Sequence, residues 1–337
     1  MSDRFRGGQP IYPKPFEYLD LPDGRPRRSN PRTHEKADAK LVSGQLSGRI
    51  RTLGPIHIGS GYLELSRRLP LSSKDQQKNP LVRGFVRSGG QCVIPGSSLK
   101  GAVRSVVEAV TLSCVAKKGS RTYLPNQDFM ECRNKEYLCP ACRLFGAMGF
   151  LGKVKFRDAV QLPDSYGKRR VEVHTLPQMF RPQTNDPDGR KFYMHGKQAS
   201  GDQPVEVVPE GEFFSFGIRF DNLEEAEMGV ILLALGLSPR PAESLRLKVG
   251  GFKPACYGSV EFEPERLLVE QSFQNCLDYD AVQDELITDS NLLQKRFEGW
   301  VSVARDGNNP LVLRDQFTEL ANTLKYPGER DCPPGLY

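Results

Sequence analysis

The chain has 337 residues, with 47 Lys and Arg against 41 Asp and Glu, which gives a net charge of +6. It contains no apolar run of membrane-spanning length and no secretory h-region, so we expect a soluble cytoplasmic protein without a membrane partner. A chain of this length can bury a sizeable core, and its 8 Cys predict thiols and metal ligands rather than a disulfide framework.

The charge is unevenly distributed along the chain. Residues 264–337 carry 7 Lys and Arg against 13 Asp and Glu, so the excess positive charge lies entirely in residues 1–263. This asymmetry predicts a polyanionic ligand on the basic part and a protein neighbour, or self-shielding, at the acidic part. A merely solvated surface explains the same numbers, and charge alone does not decide between the two.

The chain divides into three regions. Residues 1–40 are rich in Pro, Gly and Arg and predict an extended N-terminal arm, which either packs on a neighbouring subunit or is disordered. Residues 41–263 alternate strands and helices in the order β-α-β-β-β-α-β-β, which predicts an α+β fold with a ferredoxin-like (RRM-like) split βαβ core. Residues 264–337 predict an acidic, mainly helical C-terminal extension.

A helix is predicted over residues 98–116, after the turn in "IPGSSLKGAVR" (94–104). Ser97 and Ser98 are suitable N-caps, and Lys100 and Arg104 lie one turn apart beside the positive end of the helix dipole. The apolar face is formed by Leu99, Ala102, Val103, Val106 and Val110. First turns normally prefer acids, so two cations there favour an anion site over a helix that is only well capped.

Four cysteines have the pattern of a structural zinc site. Cys139 and Cys142 form a CxxC knuckle and, with Cys132, lie in a region that we predict as a zinc knuckle at 117–145; Cys114 precedes this region. A redox CxxC and four unrelated thiols are the alternatives. The remaining cysteines, Cys92, Cys256, Cys276 and Cys332, are predicted to be ordinary thiols.

Two further stretches suit a nucleic acid. The loop "KVGGFKPACYGSVEF" (248–262) carries glycines and lysines, which let a backbone approach a phosphate, although such loops are common between strands. The polar insertion at residues 177–208 and its flanks interleave basic and aromatic residues. This pattern suits either the binding of single-stranded RNA or a surface loop whose aromatic side chains pack into the core.

Together these motifs resemble the RAMP superfamily, specifically the backbone subunits of type III CRISPR effector complexes. The resemblance rests on "IHIGSG" (56–61), "IPGSSLKGAVR" (94–104), "CPACRLFG" (139–146) and "GGFKPACYGSV" (250–260), in that order. It implies a subunit that binds the backbone of guide RNA (crRNA), shapes its duplex with a complementary target RNA, and contacts other subunits of the complex. It also implies a thumb-like hairpin at 166–200 and a structural Zn²⁺ held by Cys114, Cys132, Cys139 and Cys142.

The resemblance implies RNA-binding and catalytic residues as well. The RNA-binding set is His57, Ser97, Ser98, Lys100, Arg104, Arg169, Arg170, Met179, Phe180, Arg181, Gly250, Gly251, Lys253 and Gly258. Asp75 is the candidate for target-RNA cleavage with a divalent metal, Mg²⁺ or Mn²⁺, although it lies a few residues earlier than the family's Asp. A non-cleaving structural subunit and a standalone guide-processing endoribonuclease are the alternatives.

Overall fold

The structure is a computed structural model that describes residues 5–6, 9–10, 12–35, 38, 40–115, 127–178, 189–270, 284–306 and 309–335. Within these residues the helices are α1 Ser73–Lys78, α2 Gly96–Val110, α3 Pro140–Phe145, α4 Glu225–Ala234, α5 Ser290–Asp306 and α6 Arg314–Thr323. The strands are β1 Phe5–Arg6, β2 Gln9–Pro10, β3 Phe16–Asp20, β4 Val42–Thr52, β5 Gly59–Leu65, β6 Leu81–Phe85, β7 Arg87–Ser88, β8 Gln91–Ile94, β9 Val154–Phe156, β10 Ala159–Val160, β11 Glu172–Leu176, β12 Gly189–Tyr193, β13 Gln203–Val207, β14 Phe213–Leu223, β15 Leu247–Lys248, β16 Ser259–Val269 and β17 Glu285–Ile287. The mixed α+β character predicted from the sequence is confirmed.

The central sheet is antiparallel and has the strand order β9-β14-β4-β16-β15. β17 pairs with the far end of β16. Residues on β4 alternate between buried and solvent-facing positions, and Leu46 and Ile50 are fully buried. The helix α2 therefore lies in the connection from β4 to β9, and α4 lies in the connection from β14 to β16.

The α2 helix is amphipathic, as its sequence predicts. Leu99, Val103, Val106 and Val110 are buried against the sheet and the neighbouring helices. The helix begins at Gly96, two residues before the predicted start, and ends at Val110 rather than at residue 116. Residues 116–126, which include the last residue of the predicted helix and part of the zinc-knuckle region, lie outside the described residues.

The C-terminal helices belong to the main core. Gly229 of α4 packs directly on α5, where an added Cβ would lie 2.1 Å from the Trp300 carbonyl oxygen. Trp300 and Phe317 are buried in the same hydrophobic cluster as the sheet. The predicted boundary at residue 264 falls inside β16, at a bulge between Pro264 and Arg266. Because the strand continues to Val269, the extension begins later than the sequence indicated.

The N-terminal segment packs on its own chain. β3 pairs antiparallel with β12, and Phe16, Leu19 and Phe192 are buried at this contact. Burial of these apolar side chains holds this part of the segment against the rest of its own chain. The two strands of the 166–200 insertion also do not form one hairpin, because β11 pairs with β13 while β12 pairs with β3.

Candidate nucleic-acid interface and metal centre

A groove of about 390 Å³ opens where three segments of the chain meet. These segments are the turn after His57, the first two turns of α2, and the Gly250–Lys253 loop. Gly59, Ser97, Ser98, Gly250, Gly251 and Lys253 line the groove together. The structure thus brings together the beginning of the predicted helix and the glycine loop, which are about 150 residues apart in the sequence.

The first turn of α2 presents its positive end to this groove. Pro95 occupies the N-cap position and makes no side-chain cap, so the prediction that Ser97 or Ser98 is the N-cap is wrong. The Gly96 N–H donates instead to Asp158 Oδ1 at 2.8 Å, and a Cβ on Gly96 would lie 2.2 Å from the Phe156 carbonyl oxygen. The first turn carries no acidic residue of its own, so Ser97 and Ser98 lie near the positive end of α2, beside the Asp158 carboxylate.

His57 contacts the glycine loop through its backbone and its ring. Its ring is buried, lies edge-on to Phe85 and Phe252, and its Nδ1 is 2.7 Å from the Glu206 carbonyl oxygen. Its own carbonyl oxygen accepts from the Gly251 N–H at 2.9 Å. Burial lowers the pKa of His57, so the neutral ring is favoured. These contacts position the glycine loop beside the groove.

Two glycines of the loop have conformations that other residues avoid. Gly250 has φ +90° and Gly258 has φ +87°. A Cβ on Gly250 would lie 2.3 Å from the His57 carbonyl oxygen, and a Cβ on Gly258 would lie 2.2 Å from the Val249 carbonyl oxygen. Lys253 follows in a short 3₁₀ turn, and burial lowers the pKa of its ammonium. No carboxylate pairs with Lys253 among the described residues.

Lys100 and Arg104 lie on a different surface from Ser97. Both line a second cavity, of about 360 Å³, beside the cysteine cluster. The Arg104 guanidinium is partly buried, pairs with Glu108 at 2.7 Å, and donates to the Gly146 carbonyl oxygen at 3.0 Å. The two halves of the "SSLK" pattern therefore belong to two neighbouring surfaces, because each residue turns the helix by about 100°.

The cations of the predicted insertion form contacts at its base. Arg169 Nε donates to the Gln161 carbonyl oxygen at 2.8 Å, and Arg170 pairs with Glu172 at 3.1 Å. Met179, Phe180 and Arg181 lie outside the described residues. Their role in RNA binding stays a prediction.

The four predicted cysteines form one buried cluster. The sulfurs of Cys114, Cys132, Cys139 and Cys142 all lie within 4.8 Å of one another. Cys114 Sγ is 3.5 Å from Cys142 Sγ and 3.6 Å from Cys139 Sγ. Tetrahedral Zn–S bonds of about 2.3 Å require sulfurs about 3.8 Å apart, so this donor set fits a zinc ion.

Cations and amides surround the cysteine cluster. Arg28 Nε donates to Cys132 Sγ at 3.4 Å, and an Arg104 terminal nitrogen lies 3.5 Å from Cys142 Sγ. Hydrogen bonds from the other thiols, that of Cys114 first, lower the pKa of Cys132. Arginines and N–H donors offset the negative charge that four thiolates keep around a divalent ion. The sequence pattern identified the sulfurs, but no local signal identified Arg28.

Two other cysteines differ from the sequence prediction. Cys256 and Cys332 form a disulfide, so the prediction that both are ordinary thiols, which rested on the expected cytoplasmic location, is wrong for this pair. It joins the glycine loop to the C-terminal segment. Cys92 is a buried free thiol, as predicted, and burial raises its pKa to about 12.

Asp75 lies on the exposed first turn of α1. Its N–H donates to Ser72 Oγ at 3.1 Å, and Ser72 Oγ donates to Asp75 Oδ2 at 2.7 Å. No cation pairs with Asp75 among the residues the structure describes. In the same residues the cysteine cluster is the only group of three or more metal-ligating side chains. A divalent ion at Asp75 would therefore take its other ligands from water and phosphate oxygens, as Mg²⁺ does.

The solvent face of the central sheet carries a network of ion pairs. Arg49 pairs with Glu263 and Glu265, and Arg51 pairs with Glu261 and Glu263. RNA-recognition modules stack bases on aromatic residues at the corresponding face. Ion-paired charges do not offer that platform, so the groove at the beginning of α2 is the better candidate interface.

Comparison of the chain with protein-family models agrees with the motifs found in the sequence. The family model described as the RAMP superfamily matches residues 49–261, which is well over half of the chain. The match includes every segment that lines the groove and the cysteine cluster. No curated protein matches the chain. Among the described residues, no helix is both long enough and apolar enough to cross a bilayer.

Proposed function

The chain belongs to the RAMP superfamily, and on that basis we propose that it is an RNA-binding backbone subunit of a type III CRISPR effector complex. Its ligand would be the sugar–phosphate backbone of guide RNA, lying in the groove between α2 and the glycine loop. The sheet order, which is that of a split βαβ unit, supports the ferredoxin-like interpretation of the core.

The groove carries this proposal because its donors suit a phosphodiester. The Ser97 and Ser98 hydroxyls lie at the positive end of α2, Gly250 and Gly251 expose backbone, and Lys253 adds an ammonium. Backbone and hydroxyl donors recognise phosphate and sugar without reading bases. The proposed binding is therefore independent of the guide sequence, as a subunit that must accept many guides requires.

The cysteine cluster has a structural role in this proposal. A Zn²⁺ ion on four thiolates has no open coordination position, so it would supply stability rather than chemistry. It would fix α3 against the end of α2, and thereby the orientation of the helix whose first turn faces the groove.

The groove is tested by adding a negative charge at Ser97. Ser97→Asp places an acid near the positive end of α2, where it stabilises the helix by about 0.3–1 kcal/mol, but it repels a phosphate. We expect an unchanged or higher melting temperature and at least about tenfold weaker binding of guide RNA, the loss expected for one charge-assisted contact. Asn291→Asp, in the first turn of α5, adds the same charge away from the groove and is the control.

The salt dependence of binding supplies a second measurement. Lys253→Met should lower the slope of log K against log salt by about 0.7, the value for one phosphate contact to a single strand. RNA binding that is equally tight in Ser97→Asp and Asn291→Asp, with no change in slope for Lys253→Met, would contradict the proposal.

Target-RNA cleavage through Asp75 is the second candidate function. The observation in its favour is that Asp75 is only partly buried and pairs with no cation among the described residues. Asp75→Asn in the assembled complex should abolish metal-dependent cleavage at one position while guide binding is kept. Asp23→Asn, at an exposed position, removes the same charge elsewhere and is the control. Unchanged cleavage in Asp75→Asn would leave the non-cleaving structural subunit.

A further inference from the structure

A small pocket lies next to the groove, on the other side of Lys253. Its volume is about 90 Å³, and Lys191, Lys248 and Lys253 all line it. Ala102 and Ser105 of α2 line both the pocket and the groove. The pocket is much smaller than the groove, and its size suits one small oxyanion such as phosphate.

Lys248 is the most buried cation of this pocket. It is 6% exposed, and its only hydrogen bond among the described residues joins Nζ to the Tyr257 carbonyl oxygen at 3.4 Å. Burial, followed by the positive charges of Lys253 and Arg330, lowers its pKa to about 7. Lys248 therefore lies close to two other basic groups without a compensating carboxylate among the residues described.

The buried Lys153 differs from Lys248 in its hydrogen-bond partners. Lys153 is also fully buried, but its Nζ donates to Glu227 Oε2 at 2.6 Å and to the Asn222 carbonyl oxygen at 3.1 Å. A lysine that serves packing alone is expected to have such a partner, because an unpaired buried charge is costly. Lys248 has the burial of Lys153 without its carboxylate.

The other two lysines approach the same space from different elements. Lys191 belongs to β12, and its Nζ lies over the rings of Phe16 and Tyr193, at 4.8 and 5.1 Å from their centroids. Lys253 belongs to the glycine loop. Lys191, Lys248 and Lys253 come from three segments and line one cavity, so a single anion with several oxygens bound there can accept hydrogen bonds from more than one lysine.

We propose that this pocket is a binding site for one phosphate group, held by Lys191, Lys248 and Lys253. The phosphate would come either from the backbone of RNA in the adjoining groove or from free inorganic phosphate. The first source rests on the proposed function, whereas the anion site itself does not.

The site is tested by titrating inorganic phosphate into the full-length protein in phosphate-free buffer. We expect saturable binding at one site and a rise in melting temperature, because a ligand that binds only the folded state stabilises it. Lys248→Met should weaken phosphate binding at least tenfold. Lys197→Met removes an exposed lysine paired with Asp331 and should bind phosphate like the unaltered protein.

The stability of the free variant distinguishes a binding role from a packing role. Without phosphate, Lys248→Met should melt at the same temperature as the unaltered protein or higher, because a buried charge without a counter-charge is removed. A packing lysine would give a lower melting temperature. Lys191→Met is the second variant and should weaken phosphate binding about three- to tenfold, since one of three cations is lost.

Binding of guide RNA identifies the source of the phosphate. If the RNA backbone enters the pocket, Lys248→Met lowers the salt slope of RNA binding by about 0.7. If only inorganic phosphate enters, the slope is unchanged while phosphate binding is lost. Absence of phosphate binding together with an unchanged RNA slope would overturn the site. A protein that binds phosphate but no RNA would instead refute the proposed function and leave the site standing.

Discussion

Replacing Gly250 by alanine should separate the glycine loop from His57. The residue has φ +90°, a region that costs an L-residue about 1–2 kcal/mol. The new Cβ would also lie 2.3 Å from the His57 carbonyl oxygen, which is backbone and cannot rotate away. The loop must then move and lose the Gly251 N–H bond to that oxygen, a contribution of about 0.5–1.5 kcal/mol.

These contributions give an expected loss of about 1.5–3.5 kcal/mol in the free energy of unfolding for Gly250→Ala. In a chain of this size the melting temperature should fall by about 2–5 °C. RNA binding should weaken as well, because the displaced loop no longer faces Ser97. Thermal unfolding followed by circular dichroism and RNA titration by fluorescence anisotropy measure the two effects.

The neighbouring glycine is the matched control. Gly251 has no positive φ, and a Cβ there would lie 3.6 Å from His57 Cδ2, an ordinary contact distance. We expect Gly251→Ala to change the melting temperature by less than about 2 °C, since substitutions without such strain usually have small effects. Equal losses in the two variants, or no loss in Gly250→Ala, would show that the conformation of Gly250 does not hold the loop.

Three further predictions concern the metal, the pH and the disulfide. The purified protein should contain about one zinc per chain, measured by plasma mass spectrometry; Cys139→Ser should lose it and acidification should release it, because the ligands bind as thiolates. Burial lowers the pKa of His195 to about 3, so between pH 6.5 and 3 only the unfolded chain binds this proton. The unaltered protein should therefore lose stability relative to His195→Gln as the pH falls through this range. The same pH dependence of the free energy of unfolding in both proteins, measured by denaturant titration, would contradict this. Reduction of the bond between Cys256 and Cys332 should lower stability by about 2–4 kcal/mol, whereas Cys332→Ser should not respond to the reductant.

Several features of the fold followed from local patterns in the sequence. The apolar positions Leu99, Val103, Val106 and Val110 repeat at helical spacing, and that spacing alone placed them in the core. The two-residue spacing between Cys139 and Cys142 likewise identified two members of the cysteine cluster from a short stretch of sequence. Patterns of this kind are local, so they are visible before any tertiary contact forms.

Other features depended on contacts between distant segments. Periodicity predicted neither the pairing of β3 with β12 nor the continuation of β16 to Val269, because strand partners are chosen by burial across the whole chain. The N-cap prediction at Ser97 and Ser98 was wrong because Asp158, from a segment 62 residues later, accepts the first N–H of α2. Such partners leave no mark in the residues next to the helix.

The sequence by itself determined which residue types are suited to binding an anion in this protein: a helix start without acids, a loop of glycines, and lysines beside it. Only the tertiary structure decided how these residues are divided. Ser97 and Lys253 face one groove, Arg104 turns towards the cysteines, and Lys248 is buried behind Lys253 without a carboxylate among the described residues. The physical reason is that spacing along a helix or strand fixes which face a residue occupies, whereas the element that covers that face comes from elsewhere in the chain.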